Sequence, residues 1–98
     1  MENLPSFDLC QSKIVKSVSK RNGTATPFDG RKIYSAILKA GLATGEFQDE
    51  DAFVLTMQVV RVIDHRFNKA TIDIEEVQDI VEQSLITSNY VKTARAYI

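Results

Sequence analysis

Cationic side chains and a predicted helix start are combined in residues 18–33, VSKRNGTATPFDGRKI. Lys20 and Arg21 precede the turn-forming pair Asn22-Gly23, and Lys32 falls in the first turn of the helix that the following pattern predicts. The first N–H groups of a helix have no backbone partners and carry a partial positive charge, so they attract anions. Cations that converge on such a helix start would neutralise a chain of phosphates. The segment is therefore compatible with an anion site whose charge would suit a triphosphate.

Two apolar side chains accompany these cations and allow two interpretations. If Phe28 and Ile33 lie near the same cleft, they would offer an apolar surface to a base or a ribose. In the other interpretation the basic residues form a solvated face and both apolar residues belong to the core, and spacing alone favours this one. Neither the Walker A pattern G-x-x-x-x-G-K-[ST] nor the dinucleotide pattern G-x-G-x-x-G occurs in the chain.

Two short strands joined by a hairpin are predicted ahead of that helix. Residues 13–18, KIVKSV, alternate imperfectly between apolar and polar side chains and indicate the first strand. Asn22-Gly23 favours a tight turn, because both positions accept positive φ. The second strand is predicted over residues 24–28. Pro27, which has no N–H, indicates that this strand lies at an edge of the sheet or ends at the proline.

Apolar periodicity predicts four helices and a third strand after the hairpin. Asp29 is an N-cap candidate for the first helix, which we expect over residues 30–40 with its end at Gly41. A heavily buried helix over residues 49–67 and a strand over residues 69–72 are predicted next. The third helix is predicted to begin with the capping pattern of Asp73 and Glu76 and to reach residue 86. A last helix is predicted with Asn89 as its cap and with Tyr90, Ala94 and Tyr97 on one face.

Composition and charge are those of a small globular domain. The chain has 98 residues, of which 44% are hydrophobic and 26% charged, with a net charge of −1. One domain is expected, and direct nucleic-acid binding is not. Basic residues dominate between positions 13 and 32, whereas acidic residues dominate between positions 46 and 82. A local basic patch of this kind suits a small polyanion better than a long duplex.

The residues that most often carry catalysis or bind metals are scarce. Cys10 and His65 are the single residues of their types, which excludes an intrachain disulfide and a multi-cysteine zinc site and argues against a catalytic triad. We expect Cys10 to be incidental and His65 to lie on a helix surface. We predict no catalytic residue and no metal site made by the protein alone, so that any Mg²⁺ would arrive with nucleotide phosphates.

The two ends of the chain give further expectations. Residues 1–11 form a polar leader that we expect to be disordered, with the domain itself over residues 12–98. The chain ends inside an apolar helical pattern at Tyr97-Ile98, and we therefore expect a piece truncated from a longer protein. No apolar run approaches the roughly 20 residues of a membrane span, and no signal-peptide pattern is visible, so we expect a cytoplasmic protein without membrane contact.

The motif V-x-K-R-x-G-x-x-x-P-F-D-x-x-K-I, which runs from Val18 to Ile33, resembles the signature of the ATP-cone, a regulatory nucleotide-binding domain. The similarity spans residues 13–98, and the chain resembles the ATP-cone at the start of anaerobic ribonucleoside-triphosphate reductases. One position departs from the family motif, since Asn22 stands where an acidic residue is usual. The further stretches that carry the resemblance are YSAILKA (34–40), ATGEF (43–47), IEEVQDIVE (74–82) and TARAYI (93–98).

This resemblance implies an α+β fold, in which a small three-stranded mixed sheet covers about four helices. It implies that ATP or dATP, together with Mg²⁺, acts as an allosteric effector of a ribonucleotide reductase, through the catalytic body of the parent protein and an effector-dependent homo-oligomer. The fragment itself would not be an enzyme, whereas its parent would be an oxidoreductase of deoxyribonucleotide synthesis. The nucleotide contacts that the resemblance implies are Val18, Lys20, Arg21, Phe28, Lys32 and Ile33, with Gln78 as a further candidate that fits a solvent-facing amide equally well.

Two other functions are compatible with the same fold. A transcriptional repressor of reductase genes would join an ATP-cone to a zinc ribbon, which needs four cysteines ahead of the cone, and this leader contains only Cys10. A protein-interaction module would keep the fold and its basic face and would have lost nucleotide binding.

Overall fold

The computed structural model describes residues 7–97. In this part of the chain, four helices accompany a three-stranded sheet, which is the α+β arrangement expected from the sequence. The elements, in chain order, are a 3₁₀ turn over Phe7–Cys10, strand β1 (Ser17–Ser19), strand β2 (Ala25–Pro27), helix α1 (Gly30–Thr44), helix α2 (Asp49–Arg66), strand β3 (Thr71–Asp73), helix α3 (Ile74–Thr87) and helix α4 (Val91–Tyr97).

The sheet is mixed and has the order β2-β1-β3. The central strand β1 runs antiparallel to β2, with Val18 opposite Thr26, and parallel to β3, with Val18 opposite Ile72. Val18 and Ile72 are buried, and they lie on the face of the sheet that packs against the helices. Pro27 lies in the edge strand β2, as predicted, where its missing N–H has little cost because one side of that strand has no neighbour.

The hairpin loop differs from the expected tight turn with two positive φ angles. Lys20 N–H donates to the Thr24 carbonyl at 2.8 Å, and Gly23 N–H donates to the Lys20 carbonyl at 3.0 Å. Gly23 has a φ of +87°, but Asn22 does not share a positive φ. The result is a three-residue loop that ends in a left-handed glycine. The Asn22 side chain instead accepts hydrogen bonds from the backbone N–H and the hydroxyl of Thr24, at 3.1 and 2.7 Å.

The first residues of the predicted first strand form hydrogen bonds to helix α2 and do not pair in the sheet. Of the predicted strand over residues 13–18, only its end enters the sheet, because the preceding residues are bound to helix α2. Ser12 Oγ donates a hydrogen bond to Asp64, and a second Asp64 oxygen accepts from the Lys13 N–H at 3.0 Å. Ser12 Oγ also accepts from the Val15 N–H at 2.8 Å, which curls the backbone away from extended geometry.

Helix α1 begins as predicted and ends later. The Asp29 side chain caps it by accepting from the Arg31 N–H at 2.9 Å. The expected end at Gly41 is wrong, because the helix continues to residue 44 and is closed by Gly45 with a left-handed φ of +75°. Gly41 has another use in this fold. A Cβ atom there would collide with the Phe47 ring, so the glycine lets that ring pack directly against the helix.

Helix α2 forms the centre of the core, in agreement with the expected heavy burial. It packs against α1 on one side and α3 on another, and α4 packs against α1 and α3. His65 is exposed near its C-terminal end, as predicted. The buried side chains of α2 are Ala52, Phe53, Leu55, Thr56, Val59, Val60 and Ile63.

Helix α3 follows β3 without an intervening loop. The third strand, predicted over residues 69–72, lies slightly later, and the predicted capping box is present, with the Asp73 N–H donating to Glu76 Oε1 at 2.9 Å. Asn89 was expected to cap the last helix, but it adopts a left-handed φ of +68° and donates its N–H to the Ile86 carbonyl at 3.0 Å. Asn89 therefore helps to close the end of α3, and α4 begins after it.

Helix α4 is fixed to the α1–α2 connection by a carboxylate. Glu46 Oε1 accepts from both the N–H and the hydroxyl of Thr93, each at 2.7 Å, and the Thr93 hydroxyl lies 2.8 Å from that of Thr44. These hydrogen bonds lower the pKa of Glu46, with the one from the Thr93 hydroxyl contributing most. The rings of Phe47 and Tyr90 pack beside them with centroids 4.7 Å apart.

The expected disordered leader over residues 1–11 is partly replaced by packed structure. Residues 1–6 lie outside the described part of the chain. The Phe7 ring packs edge-on against the Tyr34 ring with centroids 5.1 Å apart, and Cys10 is fully buried. The apolar surface that these two side chains bury explains why this turn is held against the core. Burial also raises the pKa of the Cys10 thiol, which keeps it protonated.

Candidate nucleotide-binding site

A cleft of about 530 Å³ opens between the hairpin, the start of α1 and the start of α3. Its volume lies within the range of small-molecule sites. Three parts of the chain that are distant in sequence form its walls, because the parallel pairing of β1 and β3 brings the first turns of α3 beside the hairpin. The structure places all of the predicted site residues on this one cleft, namely Val18, Lys20, Arg21, Phe28, Lys32, Ile33 and Gln78.

Two lysines supply unbalanced positive charge at the rim of the cleft. Lys20 stands where the hairpin loop begins, with its N–H bound to Thr24, and Lys32 stands in the first turn of α1. Both side chains are exposed, and neither forms an ion pair with any residue between 7 and 97. They lie on different elements and border the same cleft, so their fields add there.

Arg21 also borders the cleft, but its charge is already shared. Its Nε donates to Glu75 Oε2 at 2.7 Å, which joins the hairpin loop to the first turn of α3. The Arg21 hydrogen bond is the main reason that the pKa of Glu75 lies below its ordinary value. Arg21 therefore contributes less free charge to the cleft than the two lysines do.

The inner wall of the cleft is apolar. Val18, Ile33 and Val77 are buried, and Phe28 and Ile74 are partly buried against the same core. The two interpretations of the sequence are therefore both realised for Ile33, which belongs to the core and also borders the cleft. An apolar wall beside a cationic rim suits a ligand with one flat apolar part and one anionic part.

The family model of the ATP cone domain matches residues 16–98. The chain belongs to the ATP-cone family. The match includes the hairpin, α1 and the start of α3, which are the elements that form the cleft.

Curated relatives of this cone are ribonucleotide reductases of different types. It is 38% identical over 91 residues to the ribonucleoside-diphosphate reductase subunit alpha of Chlamydia muridarum, covering 84% of this chain and 9% of the relative. It is 37% identical over 90 residues to the vitamin B12-dependent ribonucleoside-diphosphate reductase of Thermoplasma acidophilum, covering 87% and 11%. It is 38% identical over 82 residues to the anaerobic ribonucleoside-triphosphate reductase of Salmonella typhimurium, covering 83% and 11%. The chain spans about a tenth of the length of these relatives.

Several residues that line the cleft of this cone were missed by sequence reasoning. Asn22, Pro27 and Asp29 belong to the motif itself and were given only structural roles. Ile74 and Val77 could not be found from the sequence, because their position depends on the pairing of β1 with β3. The complete set of additional lining residues is Asn22, Thr26, Pro27, Asp29, Ile74 and Val77.

Gln78 and the carboxylates complete the description of the cleft. The Gln78 amide is exposed and borders the cleft, so both of its sequence-based interpretations remain open. Asp29 is the one carboxylate among the described lining residues, and its side chain already caps α1. Across residues 7–97, no group of three or more His, Cys, Asp or Glu side chains is arranged to hold a metal ion. No helix in that range has the length and apolar character of a membrane span.

Proposed function

We propose that the cleft binds ATP or dATP and that this nucleotide is the allosteric effector of a ribonucleotide reductase, of which the cone is a part. The observation that carries the proposal is the meeting of Lys20, Lys32 and an apolar wall on one cleft. Membership of the ATP-cone family and the reductase names of the relatives support it.

The charge distribution supports one orientation of the nucleotide in the cleft. The phosphates would bind Lys20 and Lys32 at the rim, with Arg21 as a third cation, because charge-assisted hydrogen bonds to phosphate are the strongest contacts available there. The base or ribose would pack against Phe28 and the buried wall beside Ile33. Mg²⁺ would come with the phosphates, since Asp29 is occupied as a helix cap.

Regulation would follow from linkage. A nucleotide shifts the balance between two arrangements of the parent protein only by the difference in its affinity for them. The two arrangements would differ in how the cone meets the catalytic body or another copy of the protein. Because ATP and dATP differ only at the 2′-hydroxyl, any difference between their effects requires a contact that senses this group.

The parent protein and its location remain proposals. We propose that the parent protein is an anaerobic ribonucleoside-triphosphate reductase. The cone is 38% identical to the enzyme of this type from Salmonella typhimurium, and it is equally similar to a diphosphate reductase subunit from Chlamydia muridarum. The cytoplasmic location stays a prediction from the sequence. The repressor alternative has no support among the relatives described above, all of which are named as reductases.

Isothermal titration calorimetry with ATP, dATP and adenosine tests the proposal. ATP and dATP should bind with measurable heat, and adenosine, which lacks phosphates, should bind far more weakly because the lysines gain no partner. Each nucleotide that binds the folded state should also raise the melting temperature. If neither triphosphate gives heat or a thermal shift, the proposal fails and the interaction-module alternative replaces it.

A further inference from the structure

One of the cations beside the cleft is held by a carboxylate. Arg21 Nε lies 2.7 Å from Glu75 Oε2, whereas Lys20 and Lys32 have no ion-pair partner between residues 7 and 97. Glu75 itself is not among the lining residues of the cleft. The pair therefore links a residue that borders the cleft to one that stands beside it.

We infer that Glu75 competes with the phosphates of the nucleotide for Arg21 and thereby lowers the affinity of the cleft for its effector. The inference rests on the proposed function. A carboxylate and a phosphate offer a guanidinium the same kind of charge-assisted, oxygen-based partner, so one can replace the other. Glu75 is thus a positioning residue that acts through Arg21 and does not need to touch the nucleotide.

The surroundings of Arg21 favour competition over simple support. Besides the cleft, Arg21 borders a smaller groove of about 170 Å³ together with Asp79, Glu82 and Tyr97. Two acidic side chains of α3 therefore border the same groove as Arg21, and Glu75 of the same helix binds its guanidinium. The negative charge of α3 favours the position of Arg21 beside that helix, and the phosphates must compete with it.

Exposure sets the size of the effect. The Arg21 and Glu75 side chains are 76% and 52% exposed, and exposed ion pairs contribute little to free energy because water screens them. Loss of this competition should therefore tighten phosphate binding by about two- to fivefold. Because the pKa of Glu75 is lowered, the competitor is fully charged at neutral pH.

The first test compares wild type with Glu75→Gln by calorimetric titration with ATP and with inorganic tripolyphosphate. Glu75→Gln should bind both ligands about two- to fivefold more tightly. Glu50→Gln is the matched control. Like Glu75 in α3, Glu50 is an exposed carboxylate at the second position of its helix, α2, but it borders a different cavity. Its affinity should equal that of wild type.

The second test repeats the Glu75→Gln comparison in an Arg21→Ala background. The gain should disappear there, because Glu75 then has no cation to withhold. A gain that persists without Arg21 would mean direct repulsion of the phosphates, and weaker binding by Glu75→Gln would mean that Glu75 holds Arg21 ready for the ligand. Either result overturns the inference.

The same measurements separate this inference from the proposed function. Binding by wild type with unchanged affinity in Glu75→Gln overturns the competition alone. No binding of ATP by wild type or by Glu75→Gln overturns the proposed function and the inference with it.

Discussion

Removal of Lys20 and of Lys32 tests whether the two elements of the cleft act on one ligand. The changes are Lys20→Ala, Lys32→Ala and the double variant, with Lys39→Ala as control, because Lys39 is an exposed lysine of the same helix α1 that does not border the cleft. Hydrogen bonds to charged groups contribute about 1.5–3 kcal/mol. The exposure of both ammonium groups places the expected loss at the lower end of that range.

Each single variant should therefore bind ATP about tenfold more weakly, since about 1.4 kcal/mol corresponds to a factor of ten. The two lysines stand on different elements and share no ion-pair partner in the described part of the protein, so we expect their contributions to add and the double variant to lose about a hundredfold. Calorimetry at about 0.1 M salt measures these affinities. The melting temperatures should not change, because neither lysine forms an ion pair in the described part of the fold. Wild-type affinity in both single variants, or an equal loss in Lys39→Ala, would refute the assignment.

Two further predictions concern stability. The hydrogen bonds from Thr93 lower the pKa of Glu46 in the folded protein, so they stabilise the fold through the charged carboxylate. This stabilisation is complete at pH values above the pKa of Glu46 in the unfolded chain. It is lost as the pH falls through the lower pKa of the folded state. The melting temperatures of wild type and Glu46→Gln should therefore converge on acidification, while Glu50→Gln should follow wild type at each pH. Phe7→Ala should lower the free energy of unfolding, measured in urea, by about 2 kcal/mol, because the contacts of a half-buried ring are lost. Leu9→Ala should lower it by less than about 0.5 kcal/mol, because Leu9 is 57% exposed. An equal cost for the two changes would contradict the packing of the Phe7 turn.

Local chemistry determines which features of the fold were predictable. The Asp29 cap and the Asp73 capping box depend on bonds to near neighbours, and the edge position of Pro27 is indicated by its missing N–H, so the sequence indicates all three directly. Gly41 misled the prediction because glycine often ends helices, whereas here it makes room for Phe47. Nothing local distinguishes those two uses of a glycine.

The Phe7 turn shows the same limit at the N-terminal end. A polar segment with one proline is typical of a disordered leader, and its composition gave no other indication. Its order comes from contacts with Tyr34 on α1 and Phe53 on α2, with ring centroids 5.1 and 5.6 Å away. Such contacts depend on the tertiary arrangement, which short sequence patterns do not encode.

The walls of the candidate site could be predicted only in part. The hairpin and the start of α1 are adjacent in sequence, so a motif over residues 18–33 contains both. Ile74 and Val77 join the cleft because β1 pairs in parallel with β3, with Val18 opposite Ile72. The register of a pairing between such distant segments cannot be derived from three-residue strands.

The charge balance of the cleft is the property that a sequence describes least well. A count of basic residues in the motif treats Lys20, Arg21 and Lys32 as equal sources of positive potential. The fold makes them unequal, because Arg21 forms an ion pair with Glu75, which lies 54 positions later in the chain. Phosphate affinity should therefore depend mainly on the two lysines that have no ion pair with any residue between 7 and 97. The contribution of Arg21 should depend on how firmly Glu75 holds it. A cone with the same motif and no acid at position 75 would present a more positive cleft.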